Sequence, residues 1–255
     1  MTRTVAIEQP NYIPWLGYFD LIRQSDAWIW YDDVQYTKRD WRNRNRIADG
    51  GEPLWLTIPV KTKGRFEQTI REVEIDDSQP WRRRHQETLR RCYAVAPHAG
   101  AILPLLTRAI DEGHTHLAEL TITLNESICA LLGLAPSFAR SSELVEDREP
   151  YLFVSEESGQ AGLPARRRQD RLLDLCRAAG GTTYLSGPAA RAYIEPRGFE
   201  DAGVELRYIV YDYPPYARGP RPFVPNLSIV DAIAWLGPEA AVNFLEAHGR
   251  SENGP

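Results

Sequence analysis

Val5-Ala6-Ile7, broken at Gln9-Pro10, is followed by Trp15-Leu16-Gly17-Tyr18-Phe19 and then by Ala27-Trp28-Ile29-Trp30-Tyr31-Asp32-Asp33. Three apolar residues stopped by a proline read as a short buried strand, since proline has no N–H to give to a ladder. Trp15, Tyr18, Phe19 and Ile22 recur at spacings of three and four, the period of one helix face, which predicts a helix to Arg23. Ala27 to Tyr31 is an unbroken apolar and aromatic run, the mark of a strand covered on both faces. Strand, loop, helix, strand is the opening unit of a layered α/β fold.

Outward from this unit, Leu54, Leu56, Ile58 and Val60 alternate with Trp55, Thr57 and Pro59, predicting a half-buried strand near a sheet edge. Trp81, Leu89, Cys92 and Tyr93, then Ile102 to Ile110, then Leu117, Leu120, Leu124, Ile128 and Leu131 give three helices, an inserted helical segment over about 80–133. Phe138 to Leu144 is read as a strand and Glu146 to Arg168 as a flexible exposed loop. Asp170 to Ala179 is a helix stopped by Gly180-Gly181, and Thr182 to Leu185 is a strand. Ser186 is expected to cap a helix that has Pro188 in its first turn and runs to Tyr193. Val204 to Val210 is the last strand; the proline-rich stretch Pro214 to Pro225 leads to a helix over Ser228 to Trp235, and Ser251 to Pro255 should fray. The expected whole is one α/β domain over 1–255, a Rossmann-like layered sheet with an inserted helical segment.

Composition narrows the function. The chain is 43% hydrophobic and 25% charged, which excludes disordered and collagen-like classes. A formal charge of −5 supplies no global positive field, so neither nucleic acid nor an anionic membrane is an expected partner. Only three of the 30 basic residues are lysines, Lys38, Lys61 and Lys63. Cys92, Cys129 and Cys176 are far apart and form no CxxC pair, which argues against zinc or a disulfide framework and for a reducing compartment. No leader-like segment or membrane-length apolar run is seen, so a cytoplasmic location is expected.

Ligands of open α/β sheets gather at the carboxyl ends of strands, where Gln9 and Asp32-Asp33 fall on this reading. Tyr12, Trp15, Gln35, Tyr36, Trp41 and Asn43 add hydrogen-bonding and aromatic groups to the same region. Lys38, Arg39, Arg42, Arg44 and Arg46 outweigh Asp40 by four charges. If Arg42 to Arg46 is extended, its arginines share one face and Asn43 and Asn45 the other, so guanidinium groups could grip phosphate or carboxylate; ion pairing to the acidic excess is the alternative. His85, on the apolar face of its helix, is either a general base facing a cleft or a hydrogen-bonded core residue. Ser186-Gly187-Pro188 could turn backbone N–H groups and a hydroxyl to an anion, or simply cap. Asn226, Ser228 and Asp231 read as capping residues. His114-Thr115-His116 lacks a third ligand, so no metal is expected, and no cofactor is identified.

The run Gln9-Pro10 through Trp15-Leu16-Gly17-Tyr18-Phe19, Asp33-Val34-Gln35-Tyr36, Trp41 with Asn43-Arg44, Tyr184-Leu185-Ser186-Gly187 and Asn226-Leu227-Ser228-Ile229-Val230-Asp231 resembles the WbqC-like family in order along the chain. The resemblance implies a bacterial cytoplasmic protein, often encoded among genes for O-antigen or other surface-polysaccharide synthesis, without fixing a reaction. Members often carry glutamine after the tyrosine of the late Pro-x-Tyr segment, where this chain has Ala217 after Pro215-Tyr216, and the 146–168 region is longer than usual. The order of strand, Pro14-Trp15-Leu16-Gly17-Tyr18, helix, strand is also similar to the HxGH region of nucleotidyltransferases, without either histidine. The expected function is a transferase on an activated, phosphate-bearing small molecule, a nucleotide-sugar or acyl donor, in surface-glycan or specialised-metabolite biosynthesis. Asp33 or His85 would move a proton, Arg42, Arg44, Ser186 and Gly187 would hold anionic groups, and Gln9, Tyr12, Trp15, Gln35, Tyr36 and Asn43 would line the substrate site. A non-catalytic ligand-binding or assembly partner of a glycan-synthesis enzyme and a nucleotidyltransferase-like enzyme with Mg at Asp32-Asp33 are the alternatives.

Overall fold

The computed structural model describes residues 2–145 and 165–254. Strand β1 (Thr4–Glu8) lies in the middle of a six-stranded sheet, paired in parallel with β2 (Ala27–Trp30) on one side and β6 (Thr183–Ser186) on the other. Val5 faces Ala27 across one ladder and Tyr184 across the other. β5 (Ser137–Arg140) lies outside β2, and β7 (Glu205–Val210) outside β6, both parallel. β8 (Arg250–Asn253) closes the second edge antiparallel to β7. The α/β class and Rossmann-like layering read from the sequence are therefore present.

Helix α1 (Leu16–Arg23) joins β1 to β2. Between β2 and β5 the chain makes the helical excursion α2 (Trp81–Tyr93), α3 (Ala99–Asp111) and α4 (Leu117–Leu132). These helices pack with α8 (Ile229–Leu236) and α9 (Pro238–His248), so the insertion shares one continuous apolar core with the sheet. Trp28 and Trp30, both fully buried, anchor β2, and Trp30 stacks on Phe138 of β5 at 5.8 Å between ring centres. No helix among the described residues is long and apolar enough to cross a membrane.

Several local expectations are corrected. The 54–60 strand is not at the edge of the main sheet: β4 (Glu52–Thr57) pairs only with β3 (Arg44–Asp49), in a separate hairpin. Its turn is Gly50-Gly51, with Gly50 at φ 67, a conformation that suits glycine. The 138–144 segment splits into β5 and a single helical turn, α5 (Ser141–Leu144), because Ser141 and Ser142 turn inward to Asp32. Of the expected 146–168 loop, residues 146–164 lie outside the described residues, while 165–168 form the first turn of α6 (Ala165–Ala178). Ser186 does not cap a helix: it ends β6, and a 3-10 segment, Pro188–Ala192, starts beyond Gly187. Ser251 to Asn253 belong to β8 rather than fraying, and α7 (Pro196–Asp201) and α9 were not anticipated.

Candidate functional site

The chain lays β2 and β5 on one side of β1, then crosses to lay β6, β7 and β8 on the other. The strand order reverses between β1 and β6, and connections leaving in opposite directions open a crevice at the carboxyl ends there. A cavity of about 280 Å³ occupies that crevice. Glu8 and Gln9 enter it from the end of β1, Tyr31 from just past the end of β2, Tyr184 and Ser186 from β6, and Arg168 and Leu172 from α6. Gln35, Thr37, Asp40 and Arg42, from the segment after β2, and Tyr193 complete the wall.

Glu8 is the outstanding titratable group of this cavity. Burial raises its carboxyl to about 7, against the opposing pull of the Arg42 guanidinium and the Gln9 N–H. Arg42 is held by Asp40, with Nη1 at 2.6 Å from Oδ2. Tyr193 is pushed up to about 12, burial first and the Glu8 charge second, so it stays a neutral hydroxyl. The Oε1 atoms of Gln9 and Gln35 are buried and find no partner among the described residues. Both residues line the cavity, where a bound donor-bearing molecule could supply the missing hydrogen bonds.

The loop after β1 is over-determined. Tyr12 donates its N–H to Trp41 O at 3.0 Å, and Asn45 Nδ2 donates to the carbonyls of Tyr12 and Ile13 at 3.1 Å each. Asn125 Nδ2 donates to Asn11 O at 2.9 Å, and Tyr18 donates its hydroxyl to Gln9 O at 2.8 Å. These bonds hold Ile13 at φ 34, a strained conformation for a β-branched residue of the kind that clusters at functional sites. A Cβ on Gly17 would collide with the Trp15 indole, so glycine there lets Trp15 lie back against Tyr211, with ring centres 4.6 Å apart.

On the far side of this loop a second cavity, about 250 Å³, is lined by Asn11, Pro14, Trp15, Trp41, Asn45, Arg46 and Asn226. Trp41 leans on Trp55 with ring centres 5.4 Å apart. The Arg44 guanidinium lies over Trp55 at 4.4 Å, and that of Arg46 lies 5.7 Å from Trp41 and 5.6 Å from Trp55.

The structure brings Gln9, Gln35, Arg42 and Ser186 together in the first cavity, with Gly187 beside the Glu8 carboxylate. The expected alternation of 42–46 holds, with arginines partly exposed and Asn43 and Asn45 buried, but the arginines do not converge: Arg42 serves the first cavity, while Arg44 and Arg46 lie on tryptophans. Asn43 donates to Ile58 O at 2.8 Å, and Tyr36 is a buried phenol pushed up to about 12. Trp15 lines the second cavity instead of the first. Asp33 lies outside both: it pairs with Arg171 at 2.5 Å and accepts the Ser141 hydroxyl. Asp32 accepts the hydroxyls of Ser141 and Ser142. His85 is buried against Trp81, shares a 2.9 Å hydrogen bond with the Tyr12 hydroxyl and is pushed down to about 4 by burial. Ser228 accepts Val230 N–H as a cap, while Asp231 is sunk in the core on Arg218, at 2.9 Å, and Tyr216.

The sequence reading missed Glu8, Arg168, Tyr184 and Tyr193. Glu8 had a usable signal, a lone carboxylate closing an apolar strand. Arg168 falls at the end of the expected 146–168 loop, although the apolar set Leu172, Leu173, Leu175 and Cys176 that marks the helix begins only four residues on.

The fold and its crevice define an α/β protein with a cleft at a strand-order reversal. The chain belongs to the WbqC-like protein family, whose model matches residues 9–243. It is 40% identical to the uncharacterized protein Rv1507c of Mycobacterium tuberculosis over 240 residues, covering 93% of this chain and 96% of that protein. No solved structure matches the chain.

Proposed function

We propose that the protein is a transferase that moves a group from an activated, phosphate-bearing donor to a hydroxyl or amine acceptor in the first cavity. The observation that carries this reading is Glu8: a carboxyl poised near neutral pH, in a cleft at the strand-order reversal, with a guanidinium close enough to influence it. A base whose pKa lies near the working pH is the most effective proton acceptor, and such perturbed groups in clefts are good candidates for catalysis. Glu8 takes the acceptor's proton as the acceptor attacks the donor. Arg42, oriented by Asp40, stabilises the negative charge that builds on the phosphate-bearing leaving group. Gln9 and Gln35 accept hydrogen bonds from the bound molecules and orient them. The proton-moving role passes from Asp33 and His85, both tied into structural contacts, to Glu8. Family membership supports a place in surface-glycan or specialised-metabolite biosynthesis.

The test is turnover of nucleotide-sugar and acyl-CoA donors with hydroxyl and amine acceptors, followed by mass spectrometry of the products. Glu8→Gln should lower kcat by about 10²- to 10⁴-fold while leaving donor binding near the parent value. Arg42→Ala should weaken donor binding by about 1.5–3 kcal/mol. Donor binding with no turnover in any pairing would favour a non-catalytic ligand-binding partner, and unchanged turnover in Glu8→Gln would remove Glu8 from the chemistry.

A further inference from the structure

The second cavity shares its walls with the first. Gln9 and Asn11, two residues apart on one loop, face different cavities, and so do the chain neighbours Arg42 and Trp41. The hydrogen bond from Tyr12 N–H to Trp41 O ties these two segments together. A ligand bound in one cavity therefore has a short path along a common wall to the other.

The lining is aromatic, from Trp15 and Trp41, with one cation, Arg46; Arg44 lies beside it over Trp55. Trp41 remains 40% exposed at the cavity and Trp55 42% exposed behind it, a large aromatic surface for a molecule to leave open. Neither Arg44 nor Arg46 is paired with a carboxylate among the described residues, although the chain as a whole is acidic. Hydrogen-bonding capacity is confined to Asn11, Arg46 and Asn226, whose backbone carbonyl accepts Arg46 Nη2 at 3.2 Å. Asn45 spends its amide on the Tyr12 and Ile13 carbonyls and its oxygen on the Arg46 N–H, at 2.7 Å. Asn11 keeps a buried Oδ1, and Arg46 a buried Nε, with no partner among the described residues. A saturated sugar ring needs several partners around its rim. A nucleobase needs a flat aromatic or guanidinium surface and one or two edge contacts, and a nucleotide brings the negative charge favoured by Arg46 in the lining and Arg44 beside it, neither of which has a carboxylate partner among the described residues.

We infer that the second cavity holds the base of a nucleotide, stacked at Trp41 and contacted by Asn11 and Arg46, with its phosphates running along the shared wall toward Arg42. This rests on the transferase reading only for the role of Arg42, and it makes the activated donor a nucleotide conjugate.

The test is calorimetric titration of the full chain with ADP, UDP and coenzyme A, and with ribose 5-phosphate and inorganic pyrophosphate as base-free probes. At least one nucleotide should bind tenfold or more tightly than both base-free probes. Trp41→Ala should cost that nucleotide at least fivefold, and Trp41→Phe should restore most of the loss; thermal melts check that both variants are folded. Base-free probes that bind equally well, no nucleotide binding at millimolar concentration, or unchanged affinity in Trp41→Ala would each overturn the inference. Preference among UDP, ADP and coenzyme A would identify the conjugate. If Trp41→Ala weakens binding and Arg42→Ala does not, the base site stands and the anion role of the first cavity falls.

Discussion

Holding Glu8 near neutral pKa has a cost in stability that one isosteric change should remove. Its carboxyl rises from 4.5 to about 7 on folding, mainly through burial. At about 1.4 kcal/mol per pH unit, the gap is worth about 3 kcal/mol, and because the side chain is partly exposed to the cavity, solvent screening reduces the usable figure to about 2 kcal/mol. The folded state binds this proton more tightly than the unfolded one, so the cost is absent below pH 4.5 and grows as pH rises to about 7, above which it is complete. Glu8→Gln keeps the shape and discards the charge. The variant should be about 2 kcal/mol more stable than the parent at pH 8 and equal to it at pH 4, read from urea denaturation midpoints at constant m-value. It should also be the less active protein, the usual exchange of stability for function at a catalytic group. A variant less stable than the parent at pH 8, or an advantage independent of pH, would refute the reasoning: Glu8 would then be a structural partner of Arg42 rather than a carboxyl held away from its preferred state.

Further tests concern the scaffold. His85 is pushed down to about 4, so the parent should lose stability as pH falls from about 6.5 to 4, by up to about 3 kcal/mol, and His85→Gln should flatten that limb of the urea-melt profile. Removing one partner of the buried Arg218–Asp231 pair by Asp231→Ala should cost about 3–5 kcal/mol in urea denaturation, and Arg218→Met with Asp231→Leu should recover most of it. Asn45→Ala removes two buried hydrogen bonds to the strained loop and a part-buried one from Arg46 N–H; a loss of about 2 kcal/mol or more is expected, with weaker ligand binding in both cavities by calorimetry.

The layered fold was legible because its signals are local. Val5 to Ile7 and Ala27 to Tyr31 are apolar runs of strand length bounded by turn residues, and Leu117 to Leu131 repeats at helical spacing. The failures are also physical. The 54–60 alternation describes a strand half covered, and a two-stranded hairpin over the core gives the same pattern as a sheet edge. The 138–144 segment is bracketed by the apolar Phe138 and Leu144, and the cause of the helical turn between them, Ser141 and Ser142 bonding to Asp32, lies more than 100 residues away. β8 is a charged edge strand, Arg250-Ser251-Glu252-Asn253, held by pairing with β7 and without any hydrophobic pattern of its own.

The site was half legible, for a reason that bears on mechanism. The N-terminal motif region is dense in polar groups, and composition cannot say which of them face a ligand and which hold the backbone. Tyr12, Asn43, Asn45, Asp33 and His85 all turn inward, onto carbonyls, an arginine or each other. Gln9, Gln35 and Arg42 turn outward into the cleft. Of the inward set, Asn45, together with the Tyr12 N–H to Trp41 O bond, holds Ile13 at a positive φ and pins the 9–14 loop to the 41–46 segment, so that the two cavities keep a common wall. Scaffold substitutions should therefore act on both cavities together and through stability, whereas Glu8 should act on the chemical step, Trp41 on nucleotide binding and Arg42 on the phosphates that link the two. That division separates a site built for two ligands from a surface that happens to be polar.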